Sequence, residues 1–284
     1  MLPHRLLLVG SPAGLASVLA QRLAWQPDFD VLLAASSPPV EPLPGVSSVV
    51  ATAERGALRR VMLDFAPETV VLLAPEHDAA RCEADPAACH MAFPDAARRL
   101  ARVCLGTGTR LVVHSSDLVF DGRPRGCFAE TDRPAPSTVA GRHHLAAENA
   151  VRGAGFHRWA VVRTGPVFGL NTPEDPRQRA GGGVLTAFEM EHGAQARPYT
   201  TADEAARGFE RLVRARAHGL FHIAGDYALT PIAFANVARR AEGLLTLPEP
   251  TPRTATGLLT LRARTELGWH PDGYGEPWPA RGAP

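Results

Sequence analysis

The stretch "RLLLVGSPAGLASVLAQRL", Arg5 to Leu23, decides the fold. Four apolar residues, Leu6 to Val9, run into a glycine, after which the apolar positions change period to Leu15, Val18, Leu19 and Leu23. A short continuous run ended by glycine reads as a buried strand, and the later spacing reads as one face of a helix. Strand, tight turn and helix in that order open a nucleotide-binding βαβ unit.

The pattern recurs along the chain. "DVLLAAS" (Asp30–Ser36), "TVVLLAP" (Thr69–Pro75), "RLVVHSS" (Arg110–Ser116) and "RWAVVRTGPVFG" (Arg158–Gly169) predict further strands, with helical stretches around Ala57–Phe65 and Ala92–Cys104. Near-continuous Val/Leu runs suit strands covered on both faces, so the fold class is α/β, a Rossmann-type doubly wound parallel sheet. "LNTPEDPRQRAGGG" (Leu170–Gly183) is rich in Pro, Gly and charge and reads as a loop. Residues 1–169 are therefore expected to form a nucleotide-binding core. Residues 170–284 read mostly as a small C-terminal α/β substrate-binding lobe, interleaved with the core and set over the carboxyl ends of the strands. Its clearest strand is "GLFHIAG" (Gly219–Gly225).

Composition narrows the function classes. With 284 residues and a formal net charge of +1, the chain has no basic stripe to follow a phosphate backbone, which excludes nucleic acid as a partner. The four cysteines, Cys82, Cys89, Cys104 and Cys127, show no C-x-x-C pair and fit a reduced compartment as packing residues. The run Leu6–Val9 is too short for a signal-peptide core or a membrane span, so the expected location is cytoplasmic. His77, His90, His114, His143 and His144 contain no i, i+4 pair of the zinc-motif kind, and no metal site is expected.

"VHSSDLVFDG" (Val113–Gly122), "ETDRPAP" (Glu130–Pro136) and "GRHHLAAEN" (Gly141–Asn149) resemble the extended short-chain dehydrogenase/reductases of the dTDP-4-dehydrorhamnose reductase (RmlD-like) family. There the pattern runs S-T-D-Y-V-F-D-G, E-x-D-x-P-x-P, then Y-G-x-S-K-L-x-x-E. "VVLLAPEHDAARCEADP" (Val70–Pro86), "RTGPVFG", "YTTADEAARG", "GLFHIAG" and "ELGWHP" extend the match over nearly the whole chain. The regulatory (beta) subunit of methionine adenosyltransferase is similar in fold as well. The resemblance implies NAD(P) binding and a hydroxyl, a tyrosine acid and a lysine acting on a nucleotide-linked keto sugar.

Against that pattern the chain departs at the chemistry. Ser116 holds the hydroxyl position, but the tyrosine position is Ala140 and the lysine position, one turn on, is His144. A methyl group donates no proton. The cofactor loop keeps Gly10 of G-x-x-G-x-x-G, with Ser11, Ala13, Gly14 displaced by one, Leu15 and Ala16 following, and Ala13 is strained if its position needs positive φ. Ala34, Ala35, Ser36 and Ser37 offer neither an acid for a ribose diol nor an arginine for a 2′-phosphate, and Phe93 stands where an asparagine is usual. The expected cofactor is none, or weakly bound NAD(P), along Gly10, Ser11, Ala13, Gly14, Leu15, Ala74 and Pro75.

Ser116, Asp117 and His144 are the candidate catalytic groups, with turn capping as the alternative, more so for Asp117 than for Ser116. Glu76, His77, Phe93, Arg163 and Val167 are candidates to line the substrate cleft, with Arg163 and Arg142 able to hold an anion. His144 should face the cleft beside Ser116, and His143, about 100° around the helix, should lie at the rim. The space left at Ala140 must be filled by water, by Phe93 or by a ligand group. Three functions stay open: a degenerate member acting as a ligand-binding or partner subunit, a repurposed non-redox enzyme of dehydratase, epimerase or cyclase type, and an active reductase of a dTDP-4-keto sugar. The expected partners are a small, sugar-nucleotide-like ligand, a partner enzyme, or a second copy in a homodimer, with no nucleic acid and no membrane.

Overall fold

The computed structural model describes residues 2–39, 42–51, 56–73, 79–122, 127–169, 195–226, 228–241 and 254–272. β1 (His4–Val9) feeds α1 (Leu15–Ala24), and β2 (Phe29–Ala35) returns beside it, followed by β3 (Ser47–Val50), α2 (Ala57–Phe65) and β4 (Thr69–Leu72). Two short helices follow, α3 (Ala79–Ala84) and α4 (Pro86–Ala92), before the long α5 (Pro94–Thr107) and β5 (Arg110–Ser116). β6 (Cys127–Phe128), α6 (Val139–Arg152), β7 (Trp159–Thr164) and β8 (Val167–Phe168) complete the first part. Then come β9 (Gln195–Pro198), β10 (Thr200–Thr201), α7 (Ala202–Arg214), β11 (Gly219–His222), β12 (Ala228–Leu229), α8 (Pro231–Ala241), β13 (Thr254–Ala255), β14 (Gly257–Leu258) and α9 (Leu261–Leu267).

Seven strands form one sheet in the order β11-β7-β5-β4-β1-β2-β3, and every pairing in it is parallel. The order reverses between β1 and β4, the switch point of a doubly wound sheet. Side chains alternate between two cores. Leu6, Leu8, Val112 and Val162 pack with α1, α7 and α9 on one face, and Leu7, Val70, Val113 and Val161 with α2, α5 and α6 on the other. This two-sided burial is why the strands read as unbroken apolar runs. β11 and α7, though late in the chain, belong to this main unit, while β9 sits between β12 and β13 in a small separate sheet.

The predicted helix at Ala92–Cys104 is two helices that meet at Phe93. Phe93 has φ −123° and ψ −66°, and Pro94 behind it takes the first position of α5. Proline excludes its predecessor from the helical region and opens the next helix without wasting an N–H. At the first turn, Gly10 is required by packing: a Cβ there would lie 3.0 Å from the Cβ of Ala16 and 3.1 Å from that of Leu73. Ala13 carries no strain, because the non-glycine residues with positive φ among those described are Ala66 and Arg216.

Candidate functional site

The site lies at the carboxyl end of β5, where the chain turns through a 3₁₀ segment, Asp117–Val119, into the loop before β6. The expectation about capping is reversed here. Ser116 makes the cap, its Oγ accepting the N–H of Leu118 at 3.2 Å and donating to Asp117 Oδ1 at 3.0 Å. Asp117 instead is fully buried and holds the two parts of the molecule together. Arg197 of β9 donates Nε to Oδ2 at 2.9 Å and Nη2 to Oδ1 at 2.6 Å, and the Thr256 hydroxyl donates to Oδ2 at 2.9 Å. A carboxylate so engaged is a structural anchor and no longer a base at hand. Neither Arg197 nor Thr256 carries a local sequence signal, since they reach Asp117 across 80 and 139 residues.

α6 supplies the second wall. Thr138 caps it, its Oγ1 accepting the N–H of Gly141 at 3.0 Å, and Gly141 lets the helix press on the 3₁₀ segment, for a Cβ there would run into the Leu118 carbonyl oxygen. Ala140 is buried in a cluster with Cys82 of α3, Cys89 of α4, Leu118 and Val139. The space a phenol would need is thus taken by the two cysteines and their helices, and Phe93 goes elsewhere. Burial, and then a side-chain hydrogen bond to Cys89, pushes the Cys82 thiol up to about 12, which marks the pair as packing residues.

Phe93 is a correction to the expected cleft. Its side chain is buried in the core under α5, with its ring edge-on to that of His144 at 5.2 Å between centroids. His144 is half-buried on this apolar neighbour. His143 is also half-buried, and its ring meets that of His90 at 5.3 Å. Burial, and after it the charges of His90 and Arg142, hold the His143 pKa below its ordinary value, so the ring is neutral near pH 7.

Arg163 is the second correction. It is completely buried and cannot hold an anionic ligand, because Nε and Nη2 donate to the two oxygens of Glu148 at 2.8 and 2.7 Å. Ser115 Oγ donates to the same carboxylate at 2.6 Å, the Phe120 ring lies 5.1 Å from the guanidinium carbon, and His222 Nε2 is 3.5 Å from Nη1. Glu148 was available to sequence reasoning, since it lies four residues after His144 on the helix face that buries Ala140 and Ala147, and a carboxylate on that face demands a cation. Val167 pairs with Thr200 of β10 and packs against the α1 side of the core. Ala74, Pro75, Glu76 and His77 lie outside the described residues.

The expected cofactor loop is the turn between β1 and α1. The Ala13 N–H donates to Ser11 Oγ at 3.3 Å, and Gly14 caps α1 with its carbonyl held by the Ser17 hydroxyl at 2.7 Å. After β2, Ala34 and Ala35 are buried and Ser36 and Ser37 are exposed. Among the described residues no group of three or more His, Cys, Asp or Glu is placed to hold a metal ion, and no helix is long and apolar enough to cross a membrane.

The pattern of the RmlD substrate binding domain family matches residues 4–258. The chain belongs to that family. Among its relatives, the RmlD-like chain is 30% identical to the dTDP-4-keto-6-deoxy-D-glucose reductase of Streptomyces niveus over 74% of each. It is 28% identical to the probable low-salt glycan biosynthesis reductase Agl14 of Haloferax volcanii over 60% of its own length and 58% of that protein. A shorter match, 34% identical over 34% of this chain and 29% of the other, is to methionine adenosyltransferase 2 subunit beta of Pongo abelii. Among solved structures, a dTDP-glucose 4,6-dehydratase of Streptomyces venezuelae with NAD and TYD bound aligns with TM-score 0.79 and 18% identity over 95% of this chain and 93% of that one. A dTDP-4-dehydrorhamnose reductase of Bacillus anthracis in complex with NADP aligns with TM-score 0.76 and 17% identity over 93% and 92%. These two likenesses speak to the fold, which is the RmlD-like Rossmann fold expected from the motifs.

Proposed function

We propose that this RmlD-like chain is a sugar-nucleotide-binding protein that has lost hydride transfer and serves as a ligand-binding or partner subunit. The observation that carries the reading is Ala140: at the family's acid position the side chain is a methyl group, buried beneath Cys82, Cys89 and Leu118. Asp117 and Arg163 are both tied in ion pairs, and of the other candidate groups among the described residues Ser116 caps the turn and His144 lies against Phe93. Ser116 orients rather than ionises, and His144 rests on Phe93. The beta subunit relative is, by its name, part of another enzyme, which supports a partner role. A working reductase is the second reading, favoured by the name of the Streptomyces niveus relative. In that case His144 or a water must supply the proton.

Calorimetric titration with NADH and NADPH separates the two. We expect binding weaker than micromolar, below about 8 kcal/mol, because the Ala13 amide is already engaged and the end of β2 is bare. A micromolar or tighter constant, or a dinucleotide retained through purification, returns the protein to the reductases.

Restoring the lost residues is a harsher test. The pair Ala140→Tyr and His144→Lys should yield no NADPH-dependent reduction of a dTDP-4-keto sugar. The phenol has to displace Cys82 and Cys89, an overpacking that costs about 1–3 kcal/mol and tilts the ring off line. Adding Cys82→Ala and Cys89→Ala makes room and should relieve the instability, still without turnover. Clear reduction by either variant would show that the scaffold kept its cofactor geometry.

A further inference from the structure

The amino-terminal edge of the main sheet, opposite the cleft, gathers arginines. Arg110 opens β5, Arg158 directly precedes β7, and Arg216 lies between α7 and β11. Backbone bonds set the first two side by side, the Leu111 N–H donating to the Arg158 carbonyl at 3.0 Å, and the Arg110 N–H donates to the Glu68 carbonyl at 3.0 Å. Arg110 is only 2% exposed, and its guanidinium meets carbonyls alone, that of Leu212 at 3.4 Å and that of Ala217, while its Nε is buried with no hydrogen-bond partner. Arg158 is exposed and gives one N–H to the Gly108 carbonyl at 2.6 Å.

The acid found there among the described residues is Glu68, 44% exposed, which pairs with Arg216 at 3.5 Å and with His4 at 3.4 Å. Glu68 thus engages Arg216, while among the described residues Arg110 and Arg158 meet backbone carbonyls and no carboxylate, which leaves two positive charges without a paired anion. Burial first, and then the charges of Arg158 and Arg216, pull the Arg110 pKa down to about 10. Arg216 also holds a left-handed backbone, φ 49°, which an arginine adopts at a cost. A buried cation without a counter-ion is unfavourable, and guanidinium groups pair best with planar or tetrahedral oxyanions.

We propose that Arg110, Arg158 and Arg216 form a binding site for a doubly charged oxyanion, a phosphate or phosphomonoester group, on the face of the sheet remote from the sugar-nucleotide cleft. The dianion matches the charge left over. Arg110 offers its buried Nε, and the two exposed arginines close over the remaining oxygens. This site does not depend on the reading of the cleft.

The test compares the wild type with Arg158→Gln, Arg216→Gly and their double variant. These positions are exposed, and glycine suits the backbone at 216, so folding is not at stake as it is for Arg110. Calorimetry with inorganic phosphate and with glycerol 2-phosphate, at constant ionic strength set by sodium chloride, should give a millimolar or tighter constant for the wild type. The double variant should bind at least 10-fold more weakly. Thermal melts in the same solutions should show a phosphate-dependent rise in Tm that the double variant loses, whereas stabilisation by salt exclusion moves both alike. Flotation with vesicles containing phosphatidic acid identifies the source: binding to soluble phosphate together with vesicles still supports the site. Equal phosphate binding by wild type and double variant, no binding at all, or a response to vesicles alone would overturn it.

Discussion

Replacing Glu148 by alanine is expected to cost about 3–5 kcal/mol of stability, the scale for breaking a buried ion pair from one side. The reason is what remains. Arg163 would keep its charge in a fully buried position with only the Phe120 face and His222 beside it, and Ser115 would lose its acceptor as well. At about 2–4 °C per kcal/mol for a chain of this size, the loss is a fall of ~10 °C in Tm. Replacing both partners, Glu148→Met with Arg163→Leu, should recover most of it, because two apolar side chains leave no charge to strand. Urea melts of the three proteins check this. A loss below about 1 kcal/mol for Glu148→Ala would mean that water or a rearranged side chain takes the place of the carboxylate.

Acid should weaken the protein steeply between pH 6.5 and 5. Burial pulls the His114 pKa down to about 4, and burial together with Arg163 pulls that of His222 down to about 3. Both rings are neutral in the folded protein, while the unfolded chain takes up protons near pH 6.5. The stabilisation is therefore complete above that value and is lost as pH falls, at about 1.4 kcal/mol per pH unit for each ring. At pH 5 the two together remove ~4 kcal/mol. His114 Nε2 lies 2.9 Å from the Thr164 hydroxyl and its ring is edge-on to Phe209, so His114→Asn is a tolerable probe, and His222→Gln removes the other ring. Urea titrations at pH 7 and 5 should show the double variant losing less stability on acidification than the wild type. An unchanged difference would assign the acid sensitivity to carboxylates instead.

The central sheet was legible because burial on both faces writes itself as Val/Leu runs: β4, β5, β7 and β11 lie within predicted strands, and β1 and β2 begin one residue before theirs. β3 escaped because Ser47–Val50 is an edge strand with mostly exposed side chains and only four residues. At the site, what was lost could be read from residue identity alone, as at Ala140. What surrounds the survivors could not. Arg163 looked like an anion holder until Glu148 appeared beside it on α6, and Asp117 looked like a turn residue until Arg197 and Thr256 arrived from far along the chain. Periodicity reports which face is buried, and it is silent about which distant polar group shares that face.

The Asp117 anchor bears on how anything enters the cleft. Hinged binding proteins open by breaking contacts that water readily replaces, and their ligands are trapped by closure. Here, swinging β9 away from β5 would uncover a carboxylate that accepts from Arg197, Thr256 and Ser116 at once. The contacts of Asp117 thus oppose the separation of β9 from β5. On the proposed reading of a ligand-binding protein, selection among ligands would then rest on preformed shape, and association would be quick and simple rather than gated.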